Sequence, residues 1–157
     1  MTKLEYCLKE LTKDILKNSK GFFETIENLS YTDKNKLSLE KSENILYLIN
    51  KQNSHIFVAL KNLNEIIGTA TILIENKFIH GGSKVAHIED VSTKKEYEGK
   101  GIGSNLIKKC INFAKKEECY KIILNCKKEN NLFYKKLGFY ECENQMRKDI
   151  SNYNLKK

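Results

Sequence analysis

Apolar positions in the first third of the chain recur at helical spacing. Phe22, Phe23, Ile26 and Leu29 follow the i, i+3, i+4 rhythm of one buried face, so residues 12–29 read as helical around a break at Lys20-Gly21. Thr32-Asp33 offers the residue types that cap a helix N-terminus, and Leu37, Ile45, Leu48 and Ile49 give an apolar face for a second helix to about Asn50. The pattern then turns strand-like. Residues 55–60 and 66–74 are dense in apolar and β-branched side chains on either side of an Asn62-Leu63-Asn64 turn, which predicts a hairpin. Gly68 within its second strand marks a bulge or a close backbone approach. Residues 79–84 are a loop and 86–92 a strand. Ile102, Leu106, Ile107, Cys110, Ile111 and Ala114 line one face of a long helix. A short apolar strand at 121–124, a short helix at 132–137 ending at Gly138, and two final strands at 140–142 and 145–150 complete the reading. Strand, loop, helix, strand is a βαβ-type unit, and the whole is a mixed α/β domain.

That unit carries the most informative hexapeptide in the chain, Glu98-Gly99-Lys100-Gly101-Ile102-Gly103, at the mouth of the long helix. A helix N-terminus presents unpaired N–H groups and a partial positive charge, and glycine lets backbone approach an anion closely. The hexapeptide lacks the Gly-x-x-x-x-Gly-Lys-Ser/Thr spacing of a P-loop, and Lys108-Lys109 lie well inside the helix. A dinucleotide fingerprint joins strand to glycines by a tight turn, whereas here Thr93-Lys94-Lys95-Glu96-Tyr97 intervenes. A pyrophosphate that needs a single helix N-terminus fits better, and coenzyme A is such a ligand.

Composition narrows the setting. The 157 residues suit one domain spanning 1–157, and 40% hydrophobic with 31% charged content is ordinary for a globular protein. No apolar run reaches the roughly 18 residues that span a bilayer, and the polar start of the chain does not read as a secretory signal, so a cytoplasmic location without membrane partners is expected. The five cysteines, Cys7, Cys110, Cys119, Cys126 and Cys142, are odd in number and irregularly spaced, and His55, His80 and His87 are not spaced as metal ligands. Reduced, mostly packed thiols and no metal are expected, with Cys126 a packing residue rather than a nucleophile. A net charge of +8, almost all from lysine, suits anionic partners or a diffuse solvated surface. The aromatics are scattered rather than arrayed with Lys and Arg as a stacking platform for nucleic acid requires.

Three segments now converge: His87-Ile88-Glu89-Asp90-Val91, the glycine loop, and Asn130-Asn131-Leu132-Phe133-Tyr134-Lys135-Lys136-Leu137-Gly138-Phe139. Together they resemble the GCN5-related N-acetyltransferases (GNATs), whose cofactor motif is Gln/Arg-x-x-Gly-x-Gly/Ala. With Lys77-Phe78-Ile79-His80 and Cys119-Tyr120-Lys121-Ile122-Ile123-Leu124-Asn125-Cys126, the chain is most similar to the branch that acetylates glucosamine 6-phosphate. The resemblance implies the GNAT fold, acetyl-CoA as co-substrate, and direct transfer to the sugar's 2-amino group by a homodimer, feeding UDP-N-acetylglucosamine synthesis. It also implies roles. Val91 N–H polarises the thioester carbonyl. Glu98, Gly99, Lys100, Gly101, Ile102, Gly103 and Ser104 cradle the pyrophosphate. Asn130, Tyr134 and Lys136 lie with the cofactor, and the Tyr134 hydroxyl donates a proton to the departing thiolate. Glu98 stands where Gln or Arg is usual, so its backbone rather than its carboxylate serves.

On the acceptor side the resemblance implies that Glu89 and Asp90 bind and orient the amino sugar. In a regular strand, neighbours point to opposite faces, so both serve only where the strand is irregular. Asn125 stands where the family has an acidic residue, and an amide is no base at neutral pH, so either a pre-deprotonated amine is selected and no base is needed, or Glu89 or a water takes the amine's proton. Lys77, His80 and Ser30 match the family's substrate contacts. The family's C-terminal arginine falls in the register of Asp149, and Arg147, two residues earlier on the same face of a strand, takes that role here. A GNAT acting on a protein N-terminus or a polyamine, and a non-catalytic basic binding module, are the competing readings.

Overall fold

A computed structural model describes residues 4–148 and 150, in two compact units that part after Leu124. The first is built on a five-stranded sheet in the order β1-β2-β3-β4-β5. Its elements are β1 (Cys7–Glu10), α1 (Lys13–Asn18), α2 (Phe22–Ile26), α3 (Leu39–Lys51), β2 (Ser54–Lys61), β3 (Glu65–Asn76), a helical turn α4 (Ile79–Gly82), β4 (Lys84–Thr93), α5 (Ile102–Lys116) and β5 (Cys119–Leu124). β1 through β4 are antiparallel, and β4 pairs with β5 in parallel. Parallel neighbours need a crossover, and α5 supplies it. β1 carries little alternation and was not legible in the sequence pattern.

The α5 stripe is the clearest success of that pattern. Ile102, Leu106, Ile107, Cys110 and Ala114 are all buried, against the sheet face that bears Gly68. A Cβ at Gly68 would lie 2.6 Å from Ile102 Cγ2 and 3.0 Å from Leu106 Cδ1, so glycine sets how closely the helix seats. The register slips beside it, between Ala59 and Leu60, so both readings of Gly68 hold. On the opposite face Leu11, Leu46, Ile56, Val58, Leu60 and Ile66 form a core cluster, with Ile15, Leu16, Phe22 and Ile49 packed against it.

Two expectations change. α3 starts later, capped by Ser38, whose Oγ accepts from Lys41 N at 3.2 Å; Asp33 precedes only a short 3-10 turn. Its buried stripe is Ser42, Leu46 and, in part, Ile49, spaced four and three apart, so Ile45 and Leu48 are exposed. Residues 79–84 keep the irregular backbone expected of a loop: within α4, His80 (φ 52°), Gly81 (φ 70°) and Gly82 (φ 85°) are all left-handed.

The second unit holds a 3-10 turn (Lys128–Asn130) and α6 (Asn131–Lys135). The Tyr134 carbonyl closes its end, accepting from Leu137 N at 2.9 Å and Phe139 N at 3.2 Å. Among the described residues neither predicted final strand forms. Alternation makes a strand only where a neighbouring strand completes the ladder, and this segment has none; Tyr140 and Met146 are 82% and 91% exposed. The same-face argument for Arg147 falls with it, and Asp149 lies outside the described residues. No helix among the described residues is long and apolar enough to cross a membrane.

Candidate functional site

β4 is the axis of the candidate site. Against β3 it runs in register from Lys84 to Glu89, then slips: Thr71 pairs with Glu89 but Thr69 pairs with Ser92. Two β4 residues, Asp90 and Val91, therefore face one residue of β3, a β-bulge. Asp90 takes φ 49°, the left-handed region, to make the turn. Pairing with β5 has already ended at Ile88 and Leu124, so the two parallel strands part just before the bulge. The bulge breaks the alternation that would send Glu89 and Asp90 to opposite faces, and both are exposed. Burial around the Glu89 carboxyl pushes it above the usual carboxylate range, Asp90 adds to this by repulsion, and His87 acts against it.

Beyond the bulge the chain is pinned before it enters the glycine loop. Ser92 Oγ donates to Thr25 O at 2.6 Å and Asn28 Nδ2 to Thr93 O at 2.8 Å. Ser30, exposed, follows Asn28 by two residues. Lys94 Nζ reaches Glu65 Oε1 at 2.8 Å and Glu96 at 3.2 Å, and Lys61 Nζ donates to Tyr97 Oη at 2.8 Å. The loop then turns through Gly99 (φ 73°) and Gly101 (φ 80°), conformations that side chains resist, and a Cβ at either would meet nothing within 4 Å. The backbone is thus open on that side. The first helical bond of α5 runs from Asn105 N to Gly101 O, which leaves the N–H groups of Ile102, Gly103 and Ser104 without intrahelical partners.

Two loop residues are placed differently from the simplest cradle. Glu98 is exposed, and its N–H is already used on Lys95 O at 3.3 Å, so it brings no amide to an anion. Lys100 folds back, its Nζ 3.2 Å from Glu96 O and 5.0 Å from the Tyr97 ring centre.

The β3–β4 end of the sheet carries the residues matched to the sugar phosphate. Lys77 is ion-paired with Glu75, and His80, at φ 52°, packs its ring 4.6 Å from that of Tyr120. Glu75 also receives His87 Nε2 at 2.9 Å. Sequence reasoning singled out neither Glu75, His87 nor Tyr120 for a role; only the register of β3 against β4 reveals the Glu75–His87 pair.

In the second unit Asn125, Asn130 and Lys136 are exposed, while Tyr134 is half-buried among Phe133 and Phe139. Burial pushes the Tyr134 phenol above its ordinary value, and Cys126 adds to this. Cys126 donates to Asn131 Oδ1 at 3.4 Å and is exposed, as is Cys142, so neither is the packed thiol expected. Cys110 is buried, and burial pushes its thiol up to about 12. Among the described residues no group of three or more His, Cys, Asp or Glu is arranged to hold a metal ion.

A sequence model of the acetyltransferase (GNAT) family matches residues 21–139. The glucosamine 6-phosphate N-acetyltransferase of Trypanosoma brucei brucei is 42% identical over 85 residues, 54% of this chain; the match spans little more than half of that relative, 58%. A glucosamine 6-phosphate N-acetyltransferase of Dictyostelium discoideum is 33% identical over 129 residues, 80% of each chain. The crystal structure of the Arabidopsis thaliana glucosamine-6-phosphate N-acetyltransferase superposes with a TM-score of 0.86 at 27% identity, over 94% of this chain and 99% of that one.

Proposed function

Because the chain belongs to the acetyltransferase (GNAT) family, we propose that it transfers the acetyl group of acetyl-CoA to the 2-amino group of D-glucosamine 6-phosphate. The observation that carries this reading is the bulge in β4. A single strand presents two carboxylates, parts from its parallel neighbour beside them, and runs on into an open glycine loop. The names of the relatives supply the amino sugar phosphate.

On this reading the N–H groups of Ile102, Gly103 and Ser104, with the Gly99–Gly101 backbone, hold the pyrophosphate. Val91 N–H polarises the carbonyl where the strands part, a preorganised dipole of the kind that stabilises a developing oxyanion. Glu89 accepts the amine proton as the C–N bond forms, and Asp90 orients the sugar. Tyr134 donates its proton to the departing sulfur; a phenol pushed up stays protonated at neutral pH. Asn125, Asn130 and Lys136 keep the positions that the resemblance implies. Lys77, His80, Ser30 and Arg147 are the contacts for the sugar phosphate. A homodimer and a cytoplasmic place ahead of UDP-N-acetylglucosamine synthesis belong to the same reading.

Release of free thiol from acetyl-CoA tests it. Glucosamine 6-phosphate should be acetylated far faster than glucosamine at equal concentration. Comparable rates with the two sugars, or a polyamine as the better acceptor, would overturn the assignment.

A further inference from the structure

We propose that His87, tied to Glu75, is the positioning residue for Glu89: when its ring is protonated, it is the fixed charge beside that carboxylate on the same sheet face. The inference deepens the acetyl-transfer reading and rests on it.

The register makes the case. Leu73 pairs with His87 and Thr71 with Glu89, so the two β4 side chains lie on one sheet face with Cα atoms about 6.6 Å apart. That face is opposite the one packed by α5, because Ile88 between them pairs with Ile72, which shares the Gly68 face. Glu75, opposite Val85, lies on the same face one step further along β3. Its two oxygens are divided: Oε1 takes Lys77 and Oε2 takes His87 Nε2 at 2.9 Å. With the His87 ring protonated, the result is a line of alternating charge across the sheet, Lys77, Glu75, His87, Glu89.

Each link has a chemical reason. The Lys77 and His87 hydrogen bonds hold the Glu75 carboxyl below the usual carboxylate range. An ionised carboxylate only accepts hydrogen bonds, so His87 Nε2 must carry a hydrogen, whichever form the rest of the ring takes. Glu89 needs a cationic neighbour. It is partly desolvated and adjacent to Asp90, and both effects favour its protonated, useless form. On β5 the residue opposite His87 is Ile123, and Lys121, opposite Val85, is the nearest cation on that strand's register. Protonated, His87 is thus the cationic group next to Glu89 on its own strand, with a side chain only 24% exposed.

The test reads Glu89 directly. Carboxyl carbon NMR on 13C-labelled free protein follows the Glu89 titration in wild type, His87→Gln and Glu75→Gln. His87→Gln should raise the Glu89 midpoint by roughly 0.5–1 unit, and Glu75→Gln should produce a smaller shift in the same direction. The acid limb of kcat/KM for glucosamine 6-phosphate should move up by the same amount, with KM for acetyl-CoA unchanged. An unmoved Glu89 midpoint in a folded His87→Gln protein overturns the proposal, as does a moved midpoint with a stationary acid limb. If the acetyl-transfer reading itself is wrong, the outcome differs: wild-type protein leaves glucosamine 6-phosphate unacetylated while the Glu89 midpoint still shifts.

Discussion

Tyr134 shows how one side chain's surroundings can fit it to a task. The phenol is half-buried, with Phe133 and Phe139 at ring-centre distances of 4.9 and 5.9 Å. Desolvation disfavours a phenolate, so the hydroxyl keeps its proton through neutral pH and remains a donor. Phenylalanine would preserve the packing and remove only that proton. If the hydroxyl protonates the departing sulfur, Tyr134→Phe should lower kcat roughly 100-fold and move KM for acetyl-CoA much less. Steady-state kinetics with acetyl-CoA varied decides it, and an unchanged kcat would reduce Tyr134 to a packing residue. The motif around it was readable from sequence because Asn-x-x-x-Tyr on a short helix is a local arrangement. Glu75 and His87 were not readable, since twelve residues separate partners that meet only through strand register.

At the scale of elements, the contact between α5 and β3 fixes where the glycine loop stands. Gly68 has Ile102 and Leu106 where its side chain would go, and both are fully buried and cannot swing aside. Gly68→Ala should push the N-terminal turn of α5 outward, costing about 1–3 kcal/mol of stability as overpacking does. On the proposed reading the same displacement should raise KM for acetyl-CoA, because Ile102 begins the turn whose amides are assigned to the pyrophosphate. Urea denaturation and the KM check the two effects, and a stability loss with KM unmoved would separate the helix seat from the cofactor site. The α5 stripe itself was legible because five buried positions repeat at helical spacing over fifteen residues. β1 was not, since four residues hold too few alternations to be told from loop. The described residues of 140–150 show the opposite failure: their alternation is real, but pairing rather than pattern makes a strand. The bulge at Asp90–Val91 was implied by the resemblance but not by the residue pattern. No glycine marks it; a left-handed aspartate does, and only the shift in pairing exposes it.

For the whole molecule the balance of charge sets the response to acid. At neutral pH the chain carries +8, and protonating its 20 carboxylates would leave 28 Lys and Arg unopposed. Several carboxylates are held below their ordinary range by partners: Glu65 by Lys94, Glu24 by a backbone donor and then Lys34, and Glu75 by Lys77 and His87. A carboxylate with a lowered folded-state value binds fewer protons folded than unfolded, so its contribution is fully present above about pH 4.5 and is lost as pH falls through the folded value. Glu89 runs the other way: being raised, it favours the folded state at low pH and gives that up as it ionises. The lowered group is the larger, so stability should fall steeply below pH 4.5. Glu65 is the sharpest probe, since its side chain is only 16% exposed and ties β3 to the segment that enters the glycine loop. Glu65→Gln should cost about 1–2 kcal/mol at pH 7, the scale of a charge-assisted hydrogen bond. That difference from wild type should shrink toward zero near pH 3, where the wild-type carboxyl is also protonated. Urea midpoints measured from pH 3 to pH 7 decide the matter: a penalty that stays constant across the range would mean that the Lys94 pair contributes through packing and not through charge.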